Sequence, residues 1–182
     1  FVRDPLPMLV TDLDVVRAAI APHADTVAIA AVNGPSNTVI SGATAAVEAV
    51  VEALARRGIA GKRLAVSHAF HSALMEPMLD AFERVAGEVS YGHPQIPIVS
   101  GVTGAVAAGE EIGCAAYWRR HVREPVQFAP MIATLTAQGV ELFLELGPHP
   151  TLCGMGSACV PAGAGTWLPS LHGGRGDWPQ LL

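Results

Sequence analysis

Hydrophobic residues in the first third of the chain follow two alternating spacings. Short apolar runs predict four strands, at residues 7–10, 27–32, 38–41 and 63–67. Between the first two runs, apolar residues at helical spacing predict one helix, with Leu13, Val16 and Ile20 on one face. Between the last two runs, the same spacing predicts a second helix, with Val47, Val50, Val51 and Leu54 on one face. The resulting order, β-α-β-β-α-β, is typical of a ferredoxin-like, split βαβ unit.

Turn and capping residues mark the boundaries of these elements. Thr11 is the expected N-cap of the first helix, and Pro22 is expected to end it. The run Asn33-Gly34-Pro35 is a turn signal that predicts a hairpin between the second and third strands. Gly58 stands where a C′ glycine ends the second helix. We therefore predict one small subdomain over residues 1–67, an arrangement that ligand sensors, RNA binders and enzymes share.

The pattern of the remaining chain predicts longer helices and isolated strands. A helix is expected after His71, with a buried face formed by Leu74, Met78, Phe82 and Val85. A second helix is expected to begin with Pro125 at N1 and to end at Gly139, with an apolar face formed by Phe128, Met131, Ile132 and Leu135. Tyr117-Trp118 is placed on a short helix, strands are predicted at residues 96–100 and 140–146, and residues 147–150 form a rigid loop before a last helix. From Pro161 the composition turns to Gly and Pro, which is typical of a linker lying on a surface.

Composition and charge exclude several classes of protein. The 182 residues are 51% hydrophobic and 15% charged, with a net charge of −5, and no basic stripe is present. Nucleic-acid binding needs clustered Lys and Arg, so we expect no nucleic-acid partner. The longest apolar run, residues 27–32, is too short to span a bilayer, so no membrane association is expected. Three cysteines without a C-x-x-C spacing (Cys114, Cys153 and Cys159) indicate reduced thiols and a cytoplasmic protein.

The most distinctive short segment is Ser67-His68-Ala69-Phe70-His71, at the point where a strand gives way to a helix. Strand ends are where α/β proteins hold reactive side chains, and a His there can act as a general base near neutral pH. The simpler interpretation makes one His a polar residue at a helix start and the other a packed core residue. A metal site built on His68 and His71 is a third possibility, although no second pair of residues has a zinc-site spacing.

Residues 66–78, V-S-H-A-F-H-S-A-L-M-E-P-M, closely resemble the signature of polyketide synthase acyltransferase domains. Further segments resemble other motifs of that family in the same order, at residues 30–35, 39–42, 117–128, 144–150 and 168–178. The chain is thus similar to the C-terminal part of a malonyl-type acyltransferase domain of a type I polyketide synthase. The family's fold is a hydrolase-like α/β core with an inserted ferredoxin-like subdomain. The resemblance implies an α/β protein with the subdomain at 1–67, part of the core at 68–160 and a post-acyltransferase linker at 161–182.

This resemblance also implies a two-step acyl transfer. A Ser attacks the CoA thioester of malonyl-CoA, and the phosphopantetheine thiol of an acyl carrier protein then takes the acyl group. His71 would be the general base, and the main chain of His121 would orient it. Ser67, His68, Ala69 and Phe70 would set substrate selectivity, since H-A-F-H goes with malonyl units in the family. The expected partners are malonyl-CoA, the carrier protein, and neighbouring ketosynthase and other synthase domains, with no bound cofactor and no metal.

The family's nucleophilic Ser lies in a G-H-S-x-G turn upstream of this region, and no G-x-S-x-G occurs in the chain. The family's carboxylate-binding Arg also lies upstream, and Arg3 does not match its position. We therefore expect a piece of a longer synthase that is inactive alone. Two non-enzymatic alternatives stay open: a ferredoxin-like module that binds a small ligand, and a non-catalytic remnant that holds neighbouring domains together.

Overall fold

The computed structural model describes residues 6–64 and 68–172. The first of these segments contains four strands and two longer helices: β1 (Leu6–Leu9), α1 (Leu13–Ile20), β2 (Val27–Gly34), β3 (Asn37–Gly42), α2 (Thr44–Ala55) and β4 (Gly61–Leu64). The strands form one sheet in the order β2-β3-β1-β4, and every neighbouring pair is antiparallel. The predicted β-α-β-β-α-β order of elements is therefore observed.

The two helices cover one face of this sheet and bury its main core. This core consists of Leu9, Val16, Val27, Ile40, Val47, Val50 and Leu54. Burying each side chain of this kind stabilises the fold by about 1.5–3 kcal/mol. The register pairs Leu9 with Thr38 and Met8 with Val39, and because side chains alternate along a strand, Leu9 and Met8 lie on opposite faces.

Local signals predicted some element ends and missed others. Gly58 has a φ of 78°, and the N–H groups of Gly58 and Ile59 bond the carbonyls of Ala55 and Leu54 in a Schellman motif. The N-cap position of α1 is occupied by Asp12 rather than the predicted Thr11, and no side chain caps the helix there. The last predicted strand is observed only as β4, because residues 65–67 lie outside the described part of the chain.

The second segment is built mainly of helices: α3 (Glu76–Ala86), α4 (Gly109–Ile112), α5 (Ala115–Arg123), α6 (Phe128–Ala137) and α7 (Thr151–Ser157). Two parallel strands lie among them, β5 (Leu142–Glu145) and β6 (Thr166–Pro169). Strand β6 falls within the stretch predicted to be a linker. Its pairing with β5 is reinforced by the stacked rings of Phe143 and Trp167, whose centroids are 4.1 Å apart.

Helix α3 is rotated relative to the predicted orientation. Its buried positions are Leu79 and Ala86, whereas the predicted face, represented by Met78 and Val85, is exposed. The rotation follows from packing against α5. The Arg119 guanidinium on α5 also pairs with two carboxylates of α3, those of Asp80 and Glu83.

Two further predictions are wrong for reasons of backbone chemistry. Residues 96–100 form no strand and contribute only an isolated bridge between Val99 and Val106. Pro94 and Pro97 have no N–H group to donate to a ladder. Helix α6 begins at Phe128, so Pro125 precedes the helix instead of standing at N1.

The two segments join along the edge of β2. Val126 donates its N–H to the Ala30 carbonyl and accepts from the Val32 N–H, both at 2.8 Å. The Cys159 thiol donates to the Asn33 carbonyl on the same strand. Strand β2 therefore has hydrogen-bond partners on both sides, and the segment just before α6 is fixed to the sheet. None of the helices in the described ranges is both long and apolar enough to cross a membrane.

Candidate active site

A tight turn before α3 holds His71. The buried Ser72 hydroxyl donates to the Ala69 carbonyl at 2.7 Å and accepts from the Leu74 N–H at 3.3 Å, which closes the turn. His71 itself has a φ of 63°, in the left-handed region that non-glycine residues rarely adopt. Such a conformation costs about 1–3 kcal/mol and persists only where surrounding contacts determine it.

Those contacts come from the end of α5, some fifty positions along the chain. The His71 N–H donates to the Val122 carbonyl at 3.1 Å. The Nδ1 atom of its ring lies 2.6 Å from the carbonyl oxygen of Glu124. A carbonyl can only accept, so we assign the ring proton to Nδ1. The lone pair is then on Nε2, which is the tautomer that can remove a proton from a substrate or nucleophile.

The environment of the His71 ring favours its neutral form. Burial of the half-buried ring lowers its pKa, the hydrogen bond to the Glu124 carbonyl raises it, and the nearby charge of His121 lowers it again. The net effect is a pKa below the usual histidine value. The ring is therefore unprotonated, and available as a base, at neutral pH.

The Glu124 carbonyl reaches His71 because α5 ends one residue earlier. Glu124 is extended, with φ −83° and ψ 154°. The following Pro125 disfavours the helical conformation in the residue before it, which explains this change of direction. An ion pair between Arg123 and Glu76, at 3.0 Å, connects the end of α5 to the start of α3. The element that carries the acceptor and the element that follows His71 are thus tied together.

The sequence predicted that the main chain of His121 orients the His71 ring, but other residues of the same segment make the main-chain contacts. The two carbonyls that hold His71 belong to Val122 and Glu124. His121 lies on α5 beside the rings of Tyr117 and Trp118, with centroids 6.0 and 5.7 Å away. Sequence reasoning missed Glu124, although Pro125 signals the end of the helix at this point.

The predicted selectivity residues are only partly described by the structure. The Phe70 ring lies beside both neighbouring imidazoles, with centroids 6.1 Å from His68 and 6.4 Å from His71, and it is 42% exposed. Ala69 is buried inside the turn. Ser67 and the unmatched Arg3 lie outside the described residues. Phe70 is therefore a partly exposed apolar side chain next to the candidate base.

A buried hydrogen bond connects α5 to the loop that contains Ser100. The Tyr117 hydroxyl and the Ser100 Oγ are 2.9 Å apart, and both groups are buried. Ser100 Oγ also accepts from the Val102 N–H at 3.1 Å, so the loop and the helix are held at one point. In residues 6–64 and 68–172, no three His, Cys, Asp or Glu side chains are grouped as a metal would require.

Comparison with known protein families and sequences reveals similarity along nearly the whole chain. The family model described as "Acyl transferase domain" matches residues 5–166. Polyketide synthase GfsA of Streptomyces halstedii is 42% identical over 168 residues, covering 92% of this chain and 2% of that protein. Mycoketide-CoA synthase of Mycobacterium tuberculosis is 47% identical over 152 residues, covering 84% of this chain and 4% of the synthase. The chain thus spans a small fraction of these relatives.

Solved structures give the same result for the fold. The acyltransferase domain from the second module of the salinomycin polyketide synthase superposes with a TM-score of 0.90 at 43% identity, over 98% of this chain and 42% of that one. A malonyl-CoA:acyl carrier protein transacylase from Xanthomonas oryzae has a TM-score of 0.84 at 27% identity, over 97% and 55%. A malonyl-transacylase solved with its type II acyl carrier protein has a TM-score of 0.80 at 29% identity, over 87% and 52%.

Proposed function

The chain belongs to the acyltransferase domain family of type I polyketide synthases, and from this premise we propose that it helps transfer a malonyl unit from malonyl-CoA to an acyl carrier protein, with His71 as the general base. The observation that carries this proposal is the 2.6 Å contact between His71 Nδ1 and the Glu124 carbonyl. It fixes the tautomer in which Nε2 is basic, and it holds the ring of the half-buried His71 in the turn before α3.

In the proposed first step, Nε2 removes the proton of a serine hydroxyl as its oxygen attacks the thioester carbonyl. The tetrahedral intermediate then expels the CoA thiolate, which takes the proton from the imidazolium, and a seryl ester remains. In the second step, Nε2 accepts the proton of the phosphopantetheine thiol as its sulfur attacks that ester. The serine oxygen leaves and recovers the proton, so the base ends each cycle neutral.

The serine nucleophile of this scheme comes from outside these 182 residues, because the chain contains no G-x-S-x-G. A carbonyl also replaces the carboxylate of a Ser-His-Asp triad as the partner of the base. A neutral partner stabilises the imidazolium less than a carboxylate does, and here its bond does not outweigh burial, which lowers the pKa of His71.

Selectivity for malonyl over methylmalonyl units is assigned to Phe70. Its ring lies beside the base and is partly exposed, so it would crowd the space next to the α-carbon of the bound acyl group. One methyl group in a pocket is worth about 1–3 kcal/mol, so the selectivity is a bias and not an absolute exclusion.

We assign the sheet of residues 6–64 and its two helices to a ferredoxin-like subdomain because of the strand order β2-β3-β1-β4. The following residues, to about 160, are assigned to part of the hydrolase-like core. The proposed partners are an acyl carrier protein bearing phosphopantetheine and the neighbouring synthase domains. No cofactor is needed for the chemistry, because the CoA thioester already activates the acyl group.

The proposal is tested by following acylation of the synthase polypeptide with radiolabelled malonyl-CoA, and transfer of the label to holo carrier protein. His71→Ala is expected to slow acylation by about 10²- to 10⁴-fold, the usual contribution of a general base. His23→Gln, in the turn that follows α1, is the control and should react like the wild type. Acylation of His71→Ala at the wild-type rate would refute the role of this residue. The 182-residue chain alone should not become stably acylated on serine.

A further inference from the structure

Arg120 contacts both the backbone and the side chain of Glu124. The Arg120 carbonyl accepts the Glu124 N–H at 2.7 Å, as the last bond of α5. The Arg120 guanidinium donates from Nε to one carboxylate oxygen at 2.7 Å and from Nη2 to the other at 3.1 Å. A bidentate pair of this kind fixes direction as well as distance. Arg120 therefore restrains the residue whose carbonyl holds the base.

The other side of the same carbonyl is also restrained. It belongs to the peptide bond between Glu124 and Pro125, and the next residue, Val126, bonds β2 through both its N–H and its carbonyl. Proline has a fixed φ and no N–H. This peptide group can therefore accept hydrogen bonds but cannot donate one. The residue before it is bonded to Arg120, and the residue after it is bonded to the sheet.

The arginines of α5 differ in their partners. Arg119 and Arg123 pair with carboxylates of α3, those of Asp80, Glu83 and Glu76. Arg120 instead pairs with Glu124 and lies 3.9 Å from a Glu111 carboxylate oxygen. Arg119 and Arg123 thus connect α5 to α3, whereas Arg120 contacts Glu124, whose carbonyl bonds the His71 ring.

We propose that Arg120 is a positioning residue for acyl transfer: by clamping Glu124, it aims the carbonyl that orients the His71 ring. The inference rests on the proposed role of His71 as general base. The carboxylate of Glu124 serves the clamp and does not itself touch the imidazole in this arrangement. Loss of the clamp would let the carbonyl turn away, so that Nε2 points at the nucleophile for a smaller fraction of the time.

Loss of the contact between Arg120 and Glu124 should also change how the rate of acyl transfer depends on pH. The bond to the Glu124 carbonyl raises the pKa of His71 against the lowering by burial and by His121. A weaker bond lowers that pKa further, which moves the acid limb of the rate profile to lower pH. Arg120→Lys keeps the positive charge beside Glu124 and loses the bidentate fork, so a shift in this variant reports the geometry of the site rather than its net charge.

The experiment measures kcat per acylatable site and its pH profile in the synthase polypeptide, with the number of sites counted from the acyl-enzyme burst. Arg120→Gln is expected to lower kcat about tenfold, a cost in the range seen when catalytic groups are misoriented. Arg120→Lys should lower kcat less and shift the acid limb to lower pH. Arg84→Gln breaks another Arg–Glu pair of the same spacing, with Glu88, and should behave as wild type.

The outcomes separate this inference from the function on which it rests. If His71→Ala slows transfer as expected while both Arg120 variants keep the wild-type kcat and acid limb, the clamp is refuted and the base stands. If the Arg120 variants only reduce the number of acylated sites, with kcat per site unchanged, Arg120 has a merely structural role and the inference also fails. If His71→Ala transfers normally, both proposals fall.

Discussion

The carbonyl oxygen of Glu124 lies 2.6 Å from Nδ1 of His71, although 53 positions separate the two residues in the chain. The contact joins the end of α5 to the turn before α3. It specifies the tautomer of the ring, and it raises the pKa of His71 against the larger lowering by burial. The backbone of His71 is left-handed at this point. The residue at which α5 ends therefore decides which carbonyl holds the ring of the candidate base.

The first prediction concerns pH. A general base works when unprotonated, and burial lowers the pKa of His71, so the acid limb of kcat/KM should fall below about pH 6.5, the ordinary value for histidine. His121→Gln removes a charge that lowers this pKa and should move the limb to higher pH. The measurement is the rate of acylation by malonyl-CoA between pH 5 and 8. An acid limb at or above the ordinary value in the wild type would contradict the buried, neutral base.

Substitution of Phe70 should change the choice of substrate. Phe70→Ser opens space beside the base, and we expect the preference for malonyl over methylmalonyl to fall by about 10- to 100-fold, the discrimination that one methyl group supports. The measurement is competition between the two labelled CoA esters. Val89→Ser, which removes an exposed apolar side chain beyond the end of α3, is the control. An unchanged ratio in Phe70→Ser would remove Phe70 from the selectivity determinants.

Gly156→Ala should destabilise the contact between α7 and β6. A Cβ at this position would overlap the Trp167 ring, so the ring must move from its stack on Phe143. Overpacking of this kind costs about 1–3 kcal/mol in the free energy of unfolding, measured by urea titration. Gly154→Ala is the matched control on the same helix, because nothing lies within 4 Å of its Cβ. It should be neutral or stabilising, since alanine is the better helix former.

Glu145 should make the stability of the same region depend on pH. Burial raises the pKa of this carboxyl, but hydrogen bonds from the N–H groups at the start of α7 outweigh it, and the net pKa is lowered. The Cys153 N–H donates to Oε2 at 2.7 Å. A lowered folded-state pKa stabilises the protein above the unfolded value, about 4.3, and this contribution disappears as the pH falls through the folded value.

Glu145→Gln is therefore expected to lower the free energy of unfolding at pH 7 and to flatten its dependence on pH in the acid range. Urea titrations at a series of pH values provide the measurement. Glu141→Gln, at an exposed position just before β5, is the control and should leave the curve unchanged. Equal pH curves for wild type and Glu145→Gln would show that the carboxylate contributes nothing to the start of α7.

Signals between near neighbours in the sequence predicted much of this protein. The alternation of apolar spacings located the sheet of residues 6–64 and both of its helices. Gly58 and Gly139 ended α2 and α6 as expected, both with positive φ. These features depend on contacts a few residues apart, which a linear pattern records directly. The family motifs in register likewise led to the acyltransferase family without any structural information.

Only the tertiary structure decided which atoms surround His71 and how distant elements pair. The periodicity of α3 is compatible with two buried faces, and packing against α5 buries the one that includes Leu79. The parallel pairing of β6 with β5, and the insertion of Val126 beside β2, each join residues far apart in the chain. The identity of Glu124 as the partner of the His71 ring depends on the residue at which α5 ends before Pro125. If α5 ended one residue earlier or later, a different carbonyl would face the ring. Sequence patterns locate the end of a helix only to within one or two residues.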